Sequence, residues 1–254
     1  MPTSACSVSL ILPAYNEART IAPVLRSVRE YFESRGEVFE LIVVADGDDG
    51  TRELAASATP GDGVVKVIGS AERLGKGHAI RRGAELATGA VIGYADADDK
   101  TPIEEYELVA PWLRQGYDVV IGTRHAQGSK IEHAQRWYRQ VGSVGFRAAV
   151  HALGLSDLSD TQCGFKFFRG EVARDLFARQ VIDGYMFDVE ILYLAVRAGY
   201  RVREVGVRWR DDGDSRLDLV AGYWRNLRDV LGIRLRSYPP PAPPAAAPGP
   251  GGRP

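Results

Sequence analysis

The sequence predicts an α/β fold in which helices cover both faces of a mostly parallel central sheet. Short apolar strands alternate with amphipathic helices, which is typical of a parallel sheet. The strands are rich in β-branched residues without polar alternation, as strands buried on both faces are. With 254 residues, the chain can bury one sizeable core. We therefore expect a single Rossmann-like domain over residues 1–238 and a disordered Pro/Ala/Gly-rich tail over residues 239–254.

The first half of the chain contains four predicted strands. SVSLIL leads through PAYNE into a helix, and ELIVVAD, VVKVIG and AVIGYADADD are the next three strands, with a second helix over residues 77–88. Ligands of such sheets bind beyond the carboxyl ends of the strands. This rule brings the segments 13–17, 46–49 and 96–99 to one edge.

The second half is predicted to hold two more strands and several helices. YDVVIGTR is a strand, HAQRWYRQVGSVGFRAAVHAL is helical and rich in arginine, FDVEILYLAVRAG is a helix, and YRVREVGVRW is a strand. In the last predicted helix, LDLVAGYWRNLRDVLGIRLRSY, arginines border an apolar stripe made of Val220, Trp224, Leu227, Leu231 and Leu235. Such a helix either lies at an anionic lipid surface or packs on the core.

Composition excludes several classes of function. A formal net charge of −1 argues against a bulk nucleic-acid binder. The two cysteines, Cys6 and Cys163, provide neither a disulfide framework nor a cysteine zinc site. No apolar run reaches spanning length, so we expect a cytoplasmic protein that is soluble or peripheral to the membrane. RLGKGHAI lacks the residues of a phosphate loop and of a dinucleotide fingerprint, which excludes those two nucleotide-binding readings.

The segment GYADADDK places three carboxylates, Asp96, Asp98 and Asp99, at the end of an apolar strand. Crowded carboxylates repel one another, so a cation normally lies among them. Asp96 and Asp98 are two residues apart and would share one side of an extended strand, where they can present oxygens to a hard divalent ion. The alternative is a solvated acidic turn.

In order, PAYNE, ADGDDGT, LGKGHAI, DADD, GTR, DTQCGFK, FDVE and EVGVRW resemble the signatures of family-two glycosyltransferases of the GT-A fold. Over residues 9–237 the chain is most similar to polyprenyl-phosphate sugar synthases, the dolichyl-phosphate glucosyl- and mannosyltransferases. The resemblance implies metal-dependent, inverting transfer of a hexose, favouring glucose from UDP-glucose, to polyprenyl phosphate at the cytosolic membrane face. GDP-mannose as donor, a soluble acceptor and an inactive nucleotide-sugar-binding module are the alternatives.

The resemblance also assigns site residues. It implies that Asp98 holds Mg²⁺ or Mn²⁺ together with Asp96, which faces the ribose, and that Asp46 reads the base. The other residues implied to contact the nucleotide sugar are Pro13, Ala14, Tyr15, Glu17 and Ala97. Lys76 lies between two glycines that would let it approach a diphosphate closely. Ala45 and Lys100 depart from residues common in the family, which puts base selectivity and the metal shell in question.

Acceptor residues are predicted from local charge. Between residues 124 and 147 there are five positive residues and one acid. Arginine forks match phosphate oxygens, so we expect Arg124, Arg136 and Arg139 to grip an acceptor phosphate, unless this is a solvated helix face. Lys166, in DTQCGFK, is expected to shape the acceptor pocket. Asp188 is the candidate catalytic base, although a helix-start or salt-bridging role fits it equally well. Cys163 is expected to pack in the core rather than to act as a nucleophile.

Overall fold

A computed structural model describes residues 7–58, 61, 63–124, 150–210 and 219–241, with the side chains of residues 219–224 excepted. The architecture below refers to these residues.

The core of the protein is a seven-stranded sheet. Its strands are β1 (Val8–Tyr15), β2 (Phe39–Asp46), β3 (Val65–Ile68), β4 (Val91–Ala95), β5 (Val119–Thr123), β6 (Phe165–Arg169) and β7 (Val202–Gly206). They lie in the order β3-β2-β1-β4-β6-β5-β7. Every neighbouring pair is parallel except the two that involve β6, which runs antiparallel to β4 and β5. The predicted mostly parallel α/β fold is confirmed.

Helices flank this sheet. They are α1 (Ile21–Ser34), α2 (Thr51–Ser57), α3 (Lys76–Leu86), α4 (Tyr106–Arg114), α5 (Gly170–Arg179), α6 (Phe187–Arg197) and α7 (Leu219–Ile233), with a short 3-10 turn at Ile103–Glu105 before α4. The predicted strands and helices that fall within the described residues are all present.

The two faces of the sheet bury different side chains. Leu10 and Leu12 of β1 pack with α1 and α4 in one core, whereas Ile11 packs with α3, α5 and α6 in the other. Because neighbouring residues of a strand point to opposite faces, a central strand such as β1 must be mostly apolar to fill both cores. This requirement explains the mostly apolar runs in the sequence.

Helix α7 has one face on the core and another in solvent. Val230 and Ile233 are buried, whereas Leu231 is 57% exposed, and Leu235, just after the helix, is 87% exposed. The helix therefore packs on the core along one face, and contact of its exposed face with a lipid surface stays a prediction. No helix in the described part of the chain has the length and apolar content needed to cross a bilayer. The predicted tail lies outside the described residues beyond position 241, and the proposed domain limits stay a prediction.

Candidate active site

The carboxyl ends of three neighbouring strands form one edge. β1 ends at Tyr15, which pairs in register with Asp46 at the end of β2, and β4 runs parallel on the other side of β1. Beyond β2, Gly47 has a φ of 106°, and a Cβ there would lie 2.0 Å from Oδ1 of Asn16. Only glycine therefore allows the loops after β1 and β2 to approach this closely. The three segments predicted to meet at this edge do so.

The acidic segment after β4 lies in a turn. The strand ends at Ala95, and Asp99 has a φ of 57°, a left-handed conformation that occurs in turns and not in strands. The prediction that Asp96 and Asp98 share one side of an extended strand is therefore wrong. Each carboxylate instead pairs with its own lysine: Lys76 Nζ lies 2.6 Å from Asp96 Oδ1, and Lys100 Nζ lies 3.1 Å from Asp98 Oδ2.

These charges perturb one another. Burial raises the pKa of the Asp98 carboxyl, and repulsion by Asp96 raises it further, although Lys100 opposes both effects. Burial acts to lower the pKa of Lys76, but attraction by the Asp96 carboxylate, with a contribution from Asp188, outweighs it and raises that pKa. The turn is therefore a compact, partly desolvated site of mixed charge, a combination frequent at functional sites.

The pair Asp96 and Asp98 has the donor chemistry that Mg²⁺ or Mn²⁺ requires. Both offer carboxylate oxygens, which hard divalent ions prefer, and their mutual repulsion would be relieved by a cation. Among the described residues, no three or more His, Cys, Asp or Glu side chains are grouped to hold an ion. A metal here would therefore need further ligands besides Asp96 and Asp98.

Lys76 begins α3, and its two flanking glycines face protein backbone. A Cβ on Gly75 would lie 2.3 Å from the carbonyl oxygen of Asp183, and one on Gly77 would lie 2.4 Å from that of Ile182. The backbone N–H of His78 donates to the same Asp183 oxygen at 3.2 Å. The glycines thus make room for residues 182–183, which corrects the prediction that they clear space for a diphosphate.

An aromatic and cationic stack lies beside the end of β1. The guanidinium carbon of Arg73 lies 4.3 Å from the centre of the half-exposed Tyr15 ring. Arg73 also donates to the Tyr185 hydroxyl at 3.1 Å. Sequence reasoning singled out Tyr15 but missed the other two residues. Arg73 directly precedes LGKGHAI, which was an available signal, whereas the sequence carries no signal for Tyr185.

The other predicted nucleotide residues are mostly held by local contacts. Asp46 is buried and accepts the backbone N–H of Leu74 at 2.9 Å and that of Ser70 at 3.3 Å, so it organises the loop before Lys76. Glu17 accepts the Thr20 hydroxyl at 3.0 Å. Pro13 is half-buried within β1, whereas the side chains of Ala14 and Ala97 are buried in the core around α1 and α4. Their contacts with a nucleotide stay predictions.

Lys166 and Asp188 form a buried ion pair, which corrects the acceptor role predicted for Lys166 and confirms the salt-bridging alternative for Asp188 over the role of a base. Lys166 is 0% exposed, and its Nζ lies 2.6 Å both from Asp188 Oδ1 and from the carbonyl oxygen of Cys163. The Tyr94 hydroxyl also donates to Asp188 Oδ1. A fully buried ammonium cannot meet an acceptor phosphate, and a carboxylate bonded to two donors in the core is not poised to act as a base. Both residues hold β6, β4 and α6 together.

Arg124 is engaged by a carboxylate. Its Nε and Nη2 lie 2.7 and 2.9 Å from the two oxygens of Asp160, and its backbone N–H donates to the same side chain at 3.1 Å. Burial acts to raise the pKa of Asp160, but hydrogen bonding to Arg124 outweighs it and lowers that pKa. The fork predicted for an acceptor phosphate is therefore filled by Asp160. Arg136 and Arg139 lie outside the described residues.

The DTQCGFK segment reaches the acidic turn through a glycine. A Cβ on Gly164 would lie 2.0 Å from Oδ2 of Asp96, so the carboxylate rests on the bare backbone there. The adjacent Cys163 is buried, and burial raises the pKa of its thiol to about 12. A thiol with this pKa is unreactive near neutral pH, in agreement with the packing role expected for it.

Arg210 is a further residue that sequence reasoning missed. Its backbone N–H donates to the carbonyl oxygen of Lys100 at 2.9 Å, and its Nη2 lies 3.7 Å from Asp99 Oδ2. The segment after β7 therefore closes over the acidic turn. The arginine after EVGVRW was the available signal.

Comparison with known proteins agrees with this geometry. Residues 9–177 match the sequence model of the family described as Glycosyl transferase family 2. Glycosyltransferase AglD of Haloferax volcanii is 38% identical over 231 residues, which cover 89% of this chain but only 35% of AglD. The human dolichyl-phosphate beta-glucosyltransferase is 33% identical over 245 residues, covering 90% of this chain and 75% of that protein.

Among solved structures, glucosyl-3-phosphoglycerate synthase from Mycobacterium tuberculosis, crystallised with Mn²⁺, UDP and phosphoglyceric acid, superposes with a TM-score of 0.68. It is 23% identical, and the match covers 90% of this chain and 78% of that one. At this identity the likeness supports the fold alone, and it agrees with the GT-A architecture implied by the sequence.

Proposed function

Because the chain belongs to glycosyltransferase family 2, we propose that it transfers a hexose from a nucleotide diphosphate sugar to a polyprenyl phosphate. The observation that carries this proposal is the 2.6 Å contact of Lys76 with Asp96, beside Asp98, at the carboxyl edge of the sheet. A cation and a carboxylate pair at this edge suit a diphosphate, since ligands of such sheets bind there. The acceptor is proposed from the activity for which the related dolichyl-phosphate beta-glucosyltransferases are named.

We propose UDP-glucose as the donor. The relatives that carry glucosyltransferase names align with 89–90% of this chain and over 70–75% of their own length, so the shared region is most of the chain described above. In this proposal Tyr15 and Arg73 flank the base, Asp46 shapes the loop that contacts it, and Asp96 meets the ribose. GDP-mannose is the alternative donor.

We propose Mg²⁺ or Mn²⁺ as the cofactor, held by Asp98 with Asp96. Bound there, a divalent ion would neutralise charge on the diphosphate leaving group. Lys100 and Lys76, which now balance these carboxylates, would then be available to phosphate oxygens. A solved structure of the same fold was crystallised with Mn²⁺, which makes this ion the first to test.

The proposed reaction is a single displacement. An oxygen of the acceptor phosphate forms a bond to the anomeric carbon as the bond from that carbon to the β-phosphate oxygen breaks, and the nucleoside diphosphate leaves. Attack opposite the leaving group turns an α-linked donor into a β-linked product, in keeping with the beta-glucosyltransferase names of the relatives. A phosphate monoester is already nucleophilic near neutral pH, so the reaction does not require Asp188 as a base.

Recognition of the acceptor is assigned to Arg136 and Arg139, since Arg124 and Lys166 are engaged elsewhere. We also propose that the protein is peripheral on the cytosolic membrane face. Leu231 and Leu235 are exposed on α7 and just beyond it, and Arg228 and Arg234 are exposed beside them. An apolar strip bordered by cations suits an anionic lipid surface.

The test is a panel of donors and acceptors with Mn²⁺ present. UDP-glucose with polyprenyl phosphate should give labelled lipid, and unphosphorylated polyprenol and 3-phosphoglycerate should not. Lys76→Met should reduce turnover by about a hundredfold, the order of effect of removing one stabiliser of developing charge.

A matched control exists in the same sheet. Lys66 forms an ion pair of equal length with Glu40 near the amino end of β2, 2.6 Å between Nζ and Oε2. Lys66→Met should leave transfer unchanged. Equal losses in the two variants, or efficient transfer to 3-phosphoglycerate, would contradict the proposal.

A further inference from the structure

Glu190 joins two distant parts of the chain inside the core. It lies on α6 and is 0% exposed. Its Oε2 accepts the backbone N–H groups of Val181 and Ile182 at 3.1 and 2.8 Å. Its Oε1 accepts the Tyr238 hydroxyl at 2.8 Å and lies 3.6 Å from Nη1 of Arg236. Burying a carboxylate without such partners costs free energy, so the buried position of Glu190 depends on both sets of contacts.

The loop held by Oε2 packs against the start of α3, where Lys76 lies. The carbonyl oxygens of Ile182 and Asp183 lie where a Cβ on Gly77 or Gly75 would have to go, at 2.4 and 2.3 Å. A side-chain bond strengthens the contact, since Arg81 of α3 lies 2.8 Å from Asp183 Oδ1. A shift of residues 181–183 must therefore displace the start of α3.

The segment held by Oε1 follows α7. Arg234 donates to the carbonyl oxygen of Ala152 at 3.0 Å, and the Tyr238 ring lies 6.3 Å from the ring of Tyr193 on α6. Residues 234–238 are thus seated on the side of the protein that carries Glu190. The Glu190 carboxylate therefore contacts residues 234–238 through Oε1 and the loop of residues 181–183 through Oε2.

We propose that residues 234–238 are a positioning element for the donor site, and that Glu190 transmits their docking to residues 181–183 and so to Lys76. The inference rests on the proposed function, because it takes Lys76 to contact the donor diphosphate. Glu190 and Tyr238 do not touch the reacting groups and act only through the loop. Their loss should therefore weaken nucleotide binding and leave the affinity for the acceptor unchanged.

The experiment compares two tyrosines that each lose only a hydroxyl. Tyr238→Phe keeps the ring but removes the bond to Glu190, whereas Tyr193→Phe removes a hydroxyl bonded to Arg197 at 3.2 Å. Calorimetry with UDP and with GDP, each with Mn²⁺, should show binding weakened by about two- to thirtyfold in Tyr238→Phe, the range typical of coupling through packed networks. Tyr193→Phe should bind like the wild type.

Kinetics and truncation add independent readouts. In Tyr238→Phe the KM for the sugar nucleotide should rise while the KM for polyprenyl phosphate stays constant, and the amides of Val181 and Ile182 should exchange faster with solvent. A chain ended after residue 236 should resemble Tyr238→Phe, and one ended after residue 239 should resemble the wild type.

Unchanged nucleotide affinity in Tyr238→Phe and in the chain ended after residue 236 would overturn the inference, as would an equal loss in Tyr193→Phe. A wild type that binds neither UDP nor GDP would instead contradict the proposed function, and the inference with it.

Discussion

Replacing Lys166 by methionine should destabilise the protein severely, because it leaves the carboxylate of Asp188 buried without its cation. Lys166 is 0% exposed and lies 2.6 Å from Asp188 Oδ1. Breaking a buried pair by removing one partner costs about 3–5 kcal/mol. The free energy of unfolding of a domain is about 5–15 kcal/mol, so the loss is a large share of it. The melting temperature should fall by about 6–20 °C.

A double-mutant cycle separates the cost of the unpaired buried charge from the cost of the lost side-chain volume. Lys166→Met with Asp188→Leu removes both charges, so the double variant should be more stable than the sum of the two single losses predicts. The Tyr94 hydroxyl then lacks its acceptor, at a cost of about 1–3 kcal/mol, and adding Tyr94→Phe should recover part of that loss. Arg82→Met, which breaks an exposed pair with Glu85, should cost less than about 1 kcal/mol.

The assay is urea unfolding followed by tryptophan fluorescence, with acceptor kinetics at a temperature where every variant is folded. Additive single losses would show that Lys166 and Asp188 are not coupled. A stable Lys166→Met variant with a raised KM for polyprenyl phosphate would return Lys166 to the acceptor site and contradict its role in the core.

Four other perturbations test separate parts of the account. Asp98→Asn should lower turnover by about two to three powers of ten, and EDTA should abolish wild-type activity until Mn²⁺ or Mg²⁺ is added. Arg136→Ala or Arg139→Ala should raise the KM for polyprenyl phosphate about ten- to a hundredfold with donor binding unchanged, and lysine should rescue only partly. Leu235→Gln should weaken binding to anionic vesicles in a flotation assay. Because burial raises the pKa of Glu190 in the folded protein, the stability of the wild type relative to Glu190→Gln should be greatest below the ordinary pKa of glutamate. It should fall as pH rises through the folded pKa, which urea unfolding from about pH 4 to pH 8 measures.

Each of these predictions has its own contrary result. Full activity in EDTA would exclude the metal role of Asp98, and a defect confined to the donor would show that Arg139 serves another purpose. If Leu54→Gln, at an exposed leucine on α2, reduced vesicle binding equally, the surface after α7 would not be the specific site of lipid contact. A stability difference between wild type and Glu190→Gln that grows with rising pH would contradict the raised pKa.

The sheet and its edge were predictable because the signals are local. The central strands fill two cores, as Leu10 and Ile11 of β1 show, so they are mostly apolar runs. The acid that ends β2 and the acids that follow β4 then identify the ligand edge. The start of α3 at Lys76 was found within one residue.

The errors concern partners that are far apart in the chain. Lys166 and Asp188 are separated by 22 residues and Arg124 and Asp160 by 36, and no periodic pattern links them. Lys166, the lysine in FKFFR, was therefore assigned to the acceptor pocket, although its partner is the Asp188 carboxylate in the core. In the same way, the glycines around Lys76 fit the backbone of residues 182–183, which the sequence places more than a hundred residues away.

The most direct measurement of the central claim is the structure of the product formed from UDP-glucose and a short polyprenyl phosphate with Mn²⁺. Mass spectrometry and NMR of the extracted lipid should show one hexose joined through phosphate to the polyprenyl chain in the β configuration, and Asp98→Asn should give almost none. Glucose released to water without any glycolipid, or a hexose attached to an unphosphorylated acceptor, would contradict the account.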